Sequence, residues 1–336
     1  MSISNISGVT VKGISCAVPR NKLSLVQYAP NLLDDKQAKR LAKGTGFSFL
    51  RIASEDMTTA DLVAKASESI LSDVERETIG ALVFVSQTPD YDIPATSHVL
   101  QDRLGLSSEC LCIDINEGCS GYVTGLYVSE LLAKQLEKPV LLGCGDTISK
   151  MTSPDDRATR CIFGDAGTAT LVSCEETKIL GGTNFSFFSY GKDAQAIVME
   201  NSGRRKVLSP KNDGHLFLDG KRIMDFALEE VKEGIESFLK AVGCEKDEVS
   251  LFACHQANKR ILDFLSDMLQ VPREKVPFTS AEIGNESSAS IPLVLTQMNG
   301  KADLSKVLCA GFGVGLSVGL CLADFSRTKF YGVAEL

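Results

Sequence analysis

Cys119, His255 and Asn285 are the side chains whose types and settings in this sequence suit nucleophilic chemistry. Cys119 stands in Leu111-Cys-Ile-Asp-Ile-Asn-Glu-Gly-Cys-Ser-Gly-Tyr122. The alternating apolar first half predicts a short buried strand bounded by Asn116. Beyond Gly118, residues Tyr122, Leu126, Val128, Leu131 and Leu132 recur at helical spacing to about Gln135. The thiol thus falls at a helix start, where N–H groups lack intrahelical partners and partial positive charge favours thiolate. The thiolate is the nucleophile and can carry an acyl group as a thioester. Gly118 and Gly121 leave room for a substrate to approach the backbone. His255 follows an apolar run at 249–254, and Asn285 opens a helix after Gly284. Taken singly, a cysteine or histidine is commonly just a core residue, and Asn after Gly a turn or cap. Their convergence is what carries the chemistry.

That convergence depends on the elements around them. Residues 7–18 read as an opening strand ended by Pro19, and 33–56 as helix followed by loop. Thr59 to Ser72 has one apolar face of Leu62, Val63, Ala66, Ile70 and Leu71. The run 79–86 is continuously apolar, as a strand covered on both sides is. A helix starts at Pro94, and further strands are expected at 138–143 and 163–172. Residues 183–217 are the least regular stretch and include a basic loop at 202–206. Arg222 to Val242 reads as one long amphipathic helix. The second half then repeats the first: 249–254 matches 79–86, 261–269 the helix after Pro94, and 284–293 the Gly turn at Cys119. Residues 307–311 match 140–143, and 316–323 match 168–173, at an offset of about 166 residues throughout. Alternating helix and strand implies parallel βαβ units with right-handed crossovers. The expected fold is α/β, with two similar βαβ halves, 1–175 and 176–336, packed in layers. In such halves ligands meet the carboxyl ends of the strands. Cys119, His255, Asn285 and Gly313 all fall on that edge.

Composition narrows the rest. The net charge of −8 and the lack of a long basic run argue against nucleic acid or an anionic membrane as partner. No apolar run reaches membrane-spanning length, and residues 1–20 lack the pattern of a signal peptide. The eleven cysteines include no CxxC pair, which argues for reduced thiols and a cytoplasmic setting. None of the three histidines stands in a metal-ligand spacing, so no metal is expected.

Five stretches together resemble the thiolase superfamily, and within it the 3-oxoacyl-acyl-carrier-protein synthase III family. They are Asn116-Glu-Gly-Cys-Ser-Gly-Tyr122, Ile162-Phe-Gly-Asp-Ala-Gly167, His255-Gln-Ala-Asn-Lys-Arg-Ile261, Gly284-Asn-Glu-Ser-Ser-Ala-Ser290 and Gly311-Phe-Gly-Val-Gly-Leu316. They occur in the family's order and span most of the chain. The resemblance implies a thiolase-like duplicated fold and a Cys119–His255–Asn285 condensing site. Cys119 would take an acyl group from a thioester. A malonyl-type thioester would then lose carbon dioxide, with His255 and Asn285 donating hydrogen bonds to the enolate oxygen. Attack on the acyl-cysteine would give a 3-oxoacyl product. Backbone N–H groups of Cys119 and the loop of Gly313, Val314 and Gly315 would meet the oxyanion.

The resemblance further implies acyl-coenzyme A or acyl carrier protein as substrates, no bound cofactor, and a homodimer. Arg157, Asn258 and Arg260 match positions that bind the phosphopantetheine, and Arg40 is nearest the position of the family's adenine-stacking tryptophan. Ile93, before Pro94, matches the residue that reaches the partner's acyl pocket; the alternative is that it packs on its own subunit. The chain departs from the family's pattern in having no tryptophan. Asp225, Asp267 and Met268 replace basic docking residues, and Val314 replaces a glycine. The catalytic set is intact while donor recognition is altered, which favours a specialised relative over the initiator of fatty acid biosynthesis. Two other functions fit the same residues: acyl transfer from Cys119 to an alcohol or amine, and a non-catalytic partner subunit.

Overall fold

The apolar β-rich runs assemble into two mixed sheets, described in a computed structural model for residues 2–174 and 182–336. Eleven strands build them: β1 Ser4–Ile6, β2 Val9–Val18, β3 Ala81–Val85, β4 Leu111–Ile115, β5 Val140–Asp146, β6 Ala166–Cys174, β7 Thr183–Ser189, β8 Leu251–Cys254, β9 Val307–Gly313, β10 Ser317–Ala323 and β11 Lys329–Glu335. One sheet runs β11-β2-β6-β5-β3-β4, the other β1-β7-β10-β9-β8. Four consecutive strands of each sheet, β3-β5-β6-β2 and β8-β9-β10-β7, correspond in order and direction. β3 and β5 are parallel, as are β8 and β9, and each is followed by two antiparallel neighbours. The duplication read from the sequence is therefore present in the strand order.

The helices that matter here are α1 Asp35–Thr45, α2 Thr59–Leu71, α3 Thr96–Arg103, α4 Gly121–Leu136, α5 Lys232–Val242, α6 Lys259–Leu269 and α7 Ser290–Met298. The equivalent helices α4 and α7 lie between the sheets and touch strands of both. Their apolar faces join Val83, Val85, Leu142, Val307 and Cys309 in the central core. Outer cores lie under α2 on one side and under α5 and α6 on the other. The expected long helix before Val242 is continuous, with one π turn at Ala227–Val231. No helix among the described residues is long and apolar enough to cross a membrane.

Three expectations change. The segment ending near Cys119 is not a buried strand: β4 is the sheet's outermost strand, pairs with β3 alone, and leaves Leu111 exposed. The irregular stretch 183–217 begins with β7, a strand inside the second sheet. The offset is not uniform, because β9 turns directly into β10 whereas β5 and β6 are joined by a long connection carrying the helix Arg157–Arg160. The basic loop contributes a solvated ion pair, Arg204 to Asp92 at 2.8 Å. The division at 175/176 lies outside the described residues. At the other ends of the halves, β1 joins the second sheet and β11 the first.

α4, whose start follows Cys119, is tied to the second sheet by a buried acid. Glu130 is 1% exposed, and its Oε1 accepts from Thr183 Oγ1 at 2.8 Å while Oε2 has no partner. Burial pushes this carboxyl up to about 8. The folded state thus keeps Glu130 protonated while the unfolded chain ionises above its ordinary value near 4.5. Stability is lost as pH rises through that window. Glu130→Gln preserves an acceptor for Thr183 and cannot ionise. Its advantage over the native protein should grow between pH 5 and 8, to roughly 4–5 kcal/mol at most. Urea unfolding at several pH values checks this; a pH-independent difference would count against it.

Candidate active site

The turn that presents Cys119 is tightened by short backbone bonds, Gly121 N–H to the Gly118 carbonyl at 2.7 Å and Val123 N–H to that of Ser120 at 3.1 Å. Ser120 Oγ donates to Glu117 Oε1 at 2.6 Å, while Ser317 Oγ, 2.7 Å from the Val314 carbonyl, can give its one hydrogen either to that carbonyl or to Ser120 Oγ. The two hydroxyl oxygens sit 2.7 Å apart, locking the nucleophile turn to the loop after β9. That loop runs directly over the thiol. A Cβ on Gly313 would lie 2.7 Å from Cys119 Cβ and 2.9 Å from its Sγ, so only glycine fits.

His255 continues β8 by one residue, its N–H donating to the Ala310 carbonyl at 2.8 Å. The ring is buried, edge-on to Phe312 at 5.6 Å between centroids. Nδ1 lies 3.0 Å from Ser290 Oγ, and that hydroxyl donates to the Ser287 carbonyl at 2.8 Å. A hydroxyl has one hydrogen, so this network assigns Nδ1 as donor and leaves the Nε2 lone pair free. Burial pushes the imidazole down to about 3, so it is neutral at physiological pH.

Asn285 is fixed by its backbone. Its N–H donates to the Ile162 carbonyl at 2.8 Å, and its carbonyl accepts from Gly164 N–H at 3.1 Å. Its Oδ1 accepts from Ser287 N–H at 3.0 Å, which orients the amide and turns its NH2 outward as the donor end. The Phe-Gly-Asp-Ala-Gly motif exists to make this crossing. A Cβ on Gly164 would lie 2.8 Å from the Ile283 carbonyl carbon. Asp165 accepts from Ala53 N–H at 2.8 Å, Ser149 N–H at 2.9 Å and Ser149 Oγ at 2.5 Å. Burial raises that carboxyl to about 6.

Cys119, His255, Asn285, Gly313 and Val314 line one cavity of about 740 Å³, together with Arg157 and Asn258. Asn258 also caps α6, accepting from Ile261 N–H at 2.9 Å. Three expected positions fall elsewhere. Gly315 lines the adjoining cavity, which shares Gln87, Asn116 and Val314 with the first. Arg260 lies in a separate surface cavity with Lys43, Lys259 and Arg273, stacked on Phe264 at 5.3 Å. Arg40 is exposed on α1, outside the lining. Ile93 is 83% exposed in the single chain.

The thiol also differs from expectation. Burial pushes Cys119 up to about 12, and the nearby Asp146 adds to this, outweighing contacts from Val314 and Ser287 that favour thiolate. Asp146 is itself buried, accepting from Gln87 N–H at 2.7 Å and Ser86 Oγ at 3.1 Å. Sequence reasoning overlooked Asp146, Gln87, Ser287 and Ser290. For Ser287 and Ser290 a signal existed, since they share the Asn285 motif.

The family model described as 3-Oxoacyl-[acyl-carrier-protein (ACP)] synthase III matches residues 113–191, and its C-terminal counterpart matches 239–325. The chain is 30% identical over 315 residues to a beta-ketoacyl-[acyl-carrier-protein] synthase III of Streptococcus agalactiae, covering 88% of this chain and 96% of that one. Its structure is similar to a 3-oxoacyl-(acyl-carrier protein) synthase from Burkholderia xenovorans LB400, with a TM-score of 0.94, 33% identity and coverage of 100% and 99%. The priming beta-ketosynthase of the R1128 polyketide pathway is similar at a TM-score of 0.84 and 25% identity, covering 96% of this chain and 98% of that one.

The fit of Gly313 to the thiol yields a measurable consequence. Gly313→Ala should slow alkylation of Cys119 by iodoacetamide, by up to roughly 100-fold if the displaced thiol loses its reactive position. Peptide mass spectrometry reads the rate, with circular dichroism to check the fold. Unchanged alkylation would show that the loop does not set the thiol's position.

Proposed function

The chain belongs to the 3-oxoacyl-[acyl-carrier-protein] synthase III family and is an acyl-transferring condensing enzyme, and from that premise we propose how its own residues divide the reaction. The observation that carries the reading is the meeting of Cys119, His255 and Asn285 in one cavity beneath Gly313. The free Nε2 of neutral His255 takes the thiol proton, breaking S–H and forming N–H. The thiolate adds to the carbonyl of an acyl thioester, and the oxyanion is met by backbone N–H groups of Cys119 and the Gly313 loop. Collapse expels the donor's thiolate, which takes a proton from water, and His255 keeps its own.

A malonyl-type thioester then enters. Its carboxylate leaves as carbon dioxide, and the electron pair moves onto the thioester carbonyl as an enolate. Asn285 Nδ2 and the Nε2–H of His255 donate to that oxygen. The enolate carbon attacks the acyl-cysteine, and the expelled Cys119 thiolate recovers the proton from His255. Atoms and charge balance with thioesters as the only substrates, so the scheme calls on no metal or redox cofactor. Arg157 and Asn258, in the cavity lining, suit the pantetheine and its phosphate. Arg260 with Lys43, Lys259 and Arg273 suits an acidic carrier at the outer face, although Lys259 and Arg273 are partly neutralised by Asp263 and Asp267. A specialised role, of the kind the polyketide-pathway relative has, fits the altered docking positions. Its free cysteines suit the cytoplasm.

A homodimer is part of this reading. Ile93 and Tyr91 are exposed on one loop, and β4 has an open edge beside them. A second copy covering this face would bury Ile93, a gain of about 1.5–3 kcal/mol, and would place it at the partner's acyl pocket.

Two predictions follow from the division of roles. Incubation with a suitable acyl donor should add one acyl mass to the protein, lost in Cys119→Ala. Asn285→Ala should keep acyl loading yet lose roughly 100-fold or more in carbon dioxide release; equal losses in both half-reactions would refute the division. Release of the acyl group to an alcohol or amine, without carbon dioxide, would favour simple acyl transfer. Ile93→Ala should lengthen the accepted acyl chain and Ile93→Phe shorten it. An unchanged chain-length profile in both variants, or a monomer in sedimentation, would overturn the dimer reading.

A further inference from the structure

Glu286, next to Asn285, is 0% exposed, and neither carboxyl oxygen has a hydrogen-bond partner. The Ser280 hydroxyl is also buried without one. Unpartnered buried carboxyls are costly and rare. The Ser280 and Ser290 hydroxyls are near enough to favour its charged form, although neither closes a hydrogen bond to it. Ser290 stands four residues on, at the first turn of α7, and its Oγ is 3.0 Å from His255 Nδ1. Glu286 is thus one hydroxyl away from the imidazole.

We propose that Glu286 is a positioning residue for His255, acting through the Ser290 hydroxyl to keep hydrogen on Nδ1 and to help Nε2 hold the proton taken from Cys119. The proposal rests on the reading of His255 as that proton's acceptor. Ser290 Oγ has one hydrogen and two lone pairs. With Glu286 protonated, the Ser290 hydroxyl accepts from Nδ1–H and donates to the Ser287 carbonyl, and the carboxyl has no partner. With Glu286 ionised, the hydroxyl turns to donate to the carboxylate, and the negative charge favours the imidazolium. A compensating charge is needed here, because burial alone drives His255 down to about 3. Burial drives Glu286 up to about 8, so its ionisation falls just above neutrality. The titratable groups around it are Cys16 of β2, itself pushed up to about 12, and His255 across Ser290. Asp146 reaches the same segment through Ser288 Oγ at 3.3 Å, and acts on Cys119.

The test is alkylation of Cys119 by iodoacetamide across about pH 6 to 10 in the full-length protein, Glu286→Gln and Ser290→Ala, read by peptide mass spectrometry. The native protein should show a limb near pH 8 in which the rate rises about tenfold. Glu286→Gln should lack that limb and keep the low-pH rate. Nitrogen-15 spectra add a second readout, since the chain has only three histidines. Ser290→Ala should shift the His255 ring nitrogens away from the Nδ1–H pattern, leaving His98 and His215 unmoved. Superimposable pH profiles for the native protein and Glu286→Gln, with His255 signals unchanged in both variants, would overturn the proposal. Alkylation needs no acyl donor, so failure of acyl loading with the limb intact would strike the reaction scheme and not the role of Glu286.

Discussion

The two halves of the chemistry are joined by a backbone crossing, Ile162 to Gly164 against Gly284 and Asn285. Only two hydrogen bonds close it, at 2.8 and 3.1 Å. Each is worth about 1 kcal/mol net, but a buried N–H left open there would cost more than the bond contributes. Backbone approaches this closely only because Gly164 and Gly284 carry no Cβ. Asp165 braces the crossing from behind by collecting donors from residues 53 and 149. The carboxylate of this motif is therefore part of the frame that fixes Asn285.

Desolvation acts on Cys119 and His255 with opposite sign and the same result. It raises the thiol to about 12 and lowers the imidazole to about 3, so the pair rests uncharged. Asp146 pushes in the same direction from beneath the thiol. The helix-start argument for a resident thiolate is sound in sign, but it competes with burial, and burial wins. A resting thiol is also protected from oxidation, which follows thiolate character. Charge has to appear when a substrate carbonyl arrives, and the same dry surroundings then strengthen each donor aimed at the oxyanion.

Cys119, His255 and Asn285 were legible because each sits where a strand ends or a helix begins, a place that periodicity marks. The doubled strand order was legible for the same reason. Composition could not separate an edge strand from a central one: four of the five residues of Leu111–Ile115 are apolar, and only the chain's crossover makes it outermost. β7 escaped notice because Asn184, Ser186 and Ser189 interrupt its aromatic residues and break the apolar run. Arg260 matched a motif position and Arg40 stood nearest another, but a motif fixes sequence distance and not the side of the wall on which a side chain emerges. Glu286 was invisible for another reason: an acid in the first turn after Gly-Asn reads as a routine helix-start charge, and only the packing around it shows that it is buried.

The position of Ile93 raises a last physical question, since an exposed apolar residue should have no fixed place. Here the loop holds it. Asp90 N–H donates to Thr96 Oγ1 at 3.1 Å, closing the loop on itself. Asp114 of β4 accepts from Thr96 N–H at 2.7 Å and Ser97 N–H at 2.8 Å, capping α3 just beyond Pro94. Asp114 lies on the same short strand that leads into Cys119. The exposed residue and the nucleophile are thus mounted on one rigid segment, joined by charge-assisted bonds to a helix N-terminus. Ordering entropy for Ile93 is met within the chain, so any surface that covers it gains apolar burial without that cost. Displacement of β4 at its open edge would move both groups together.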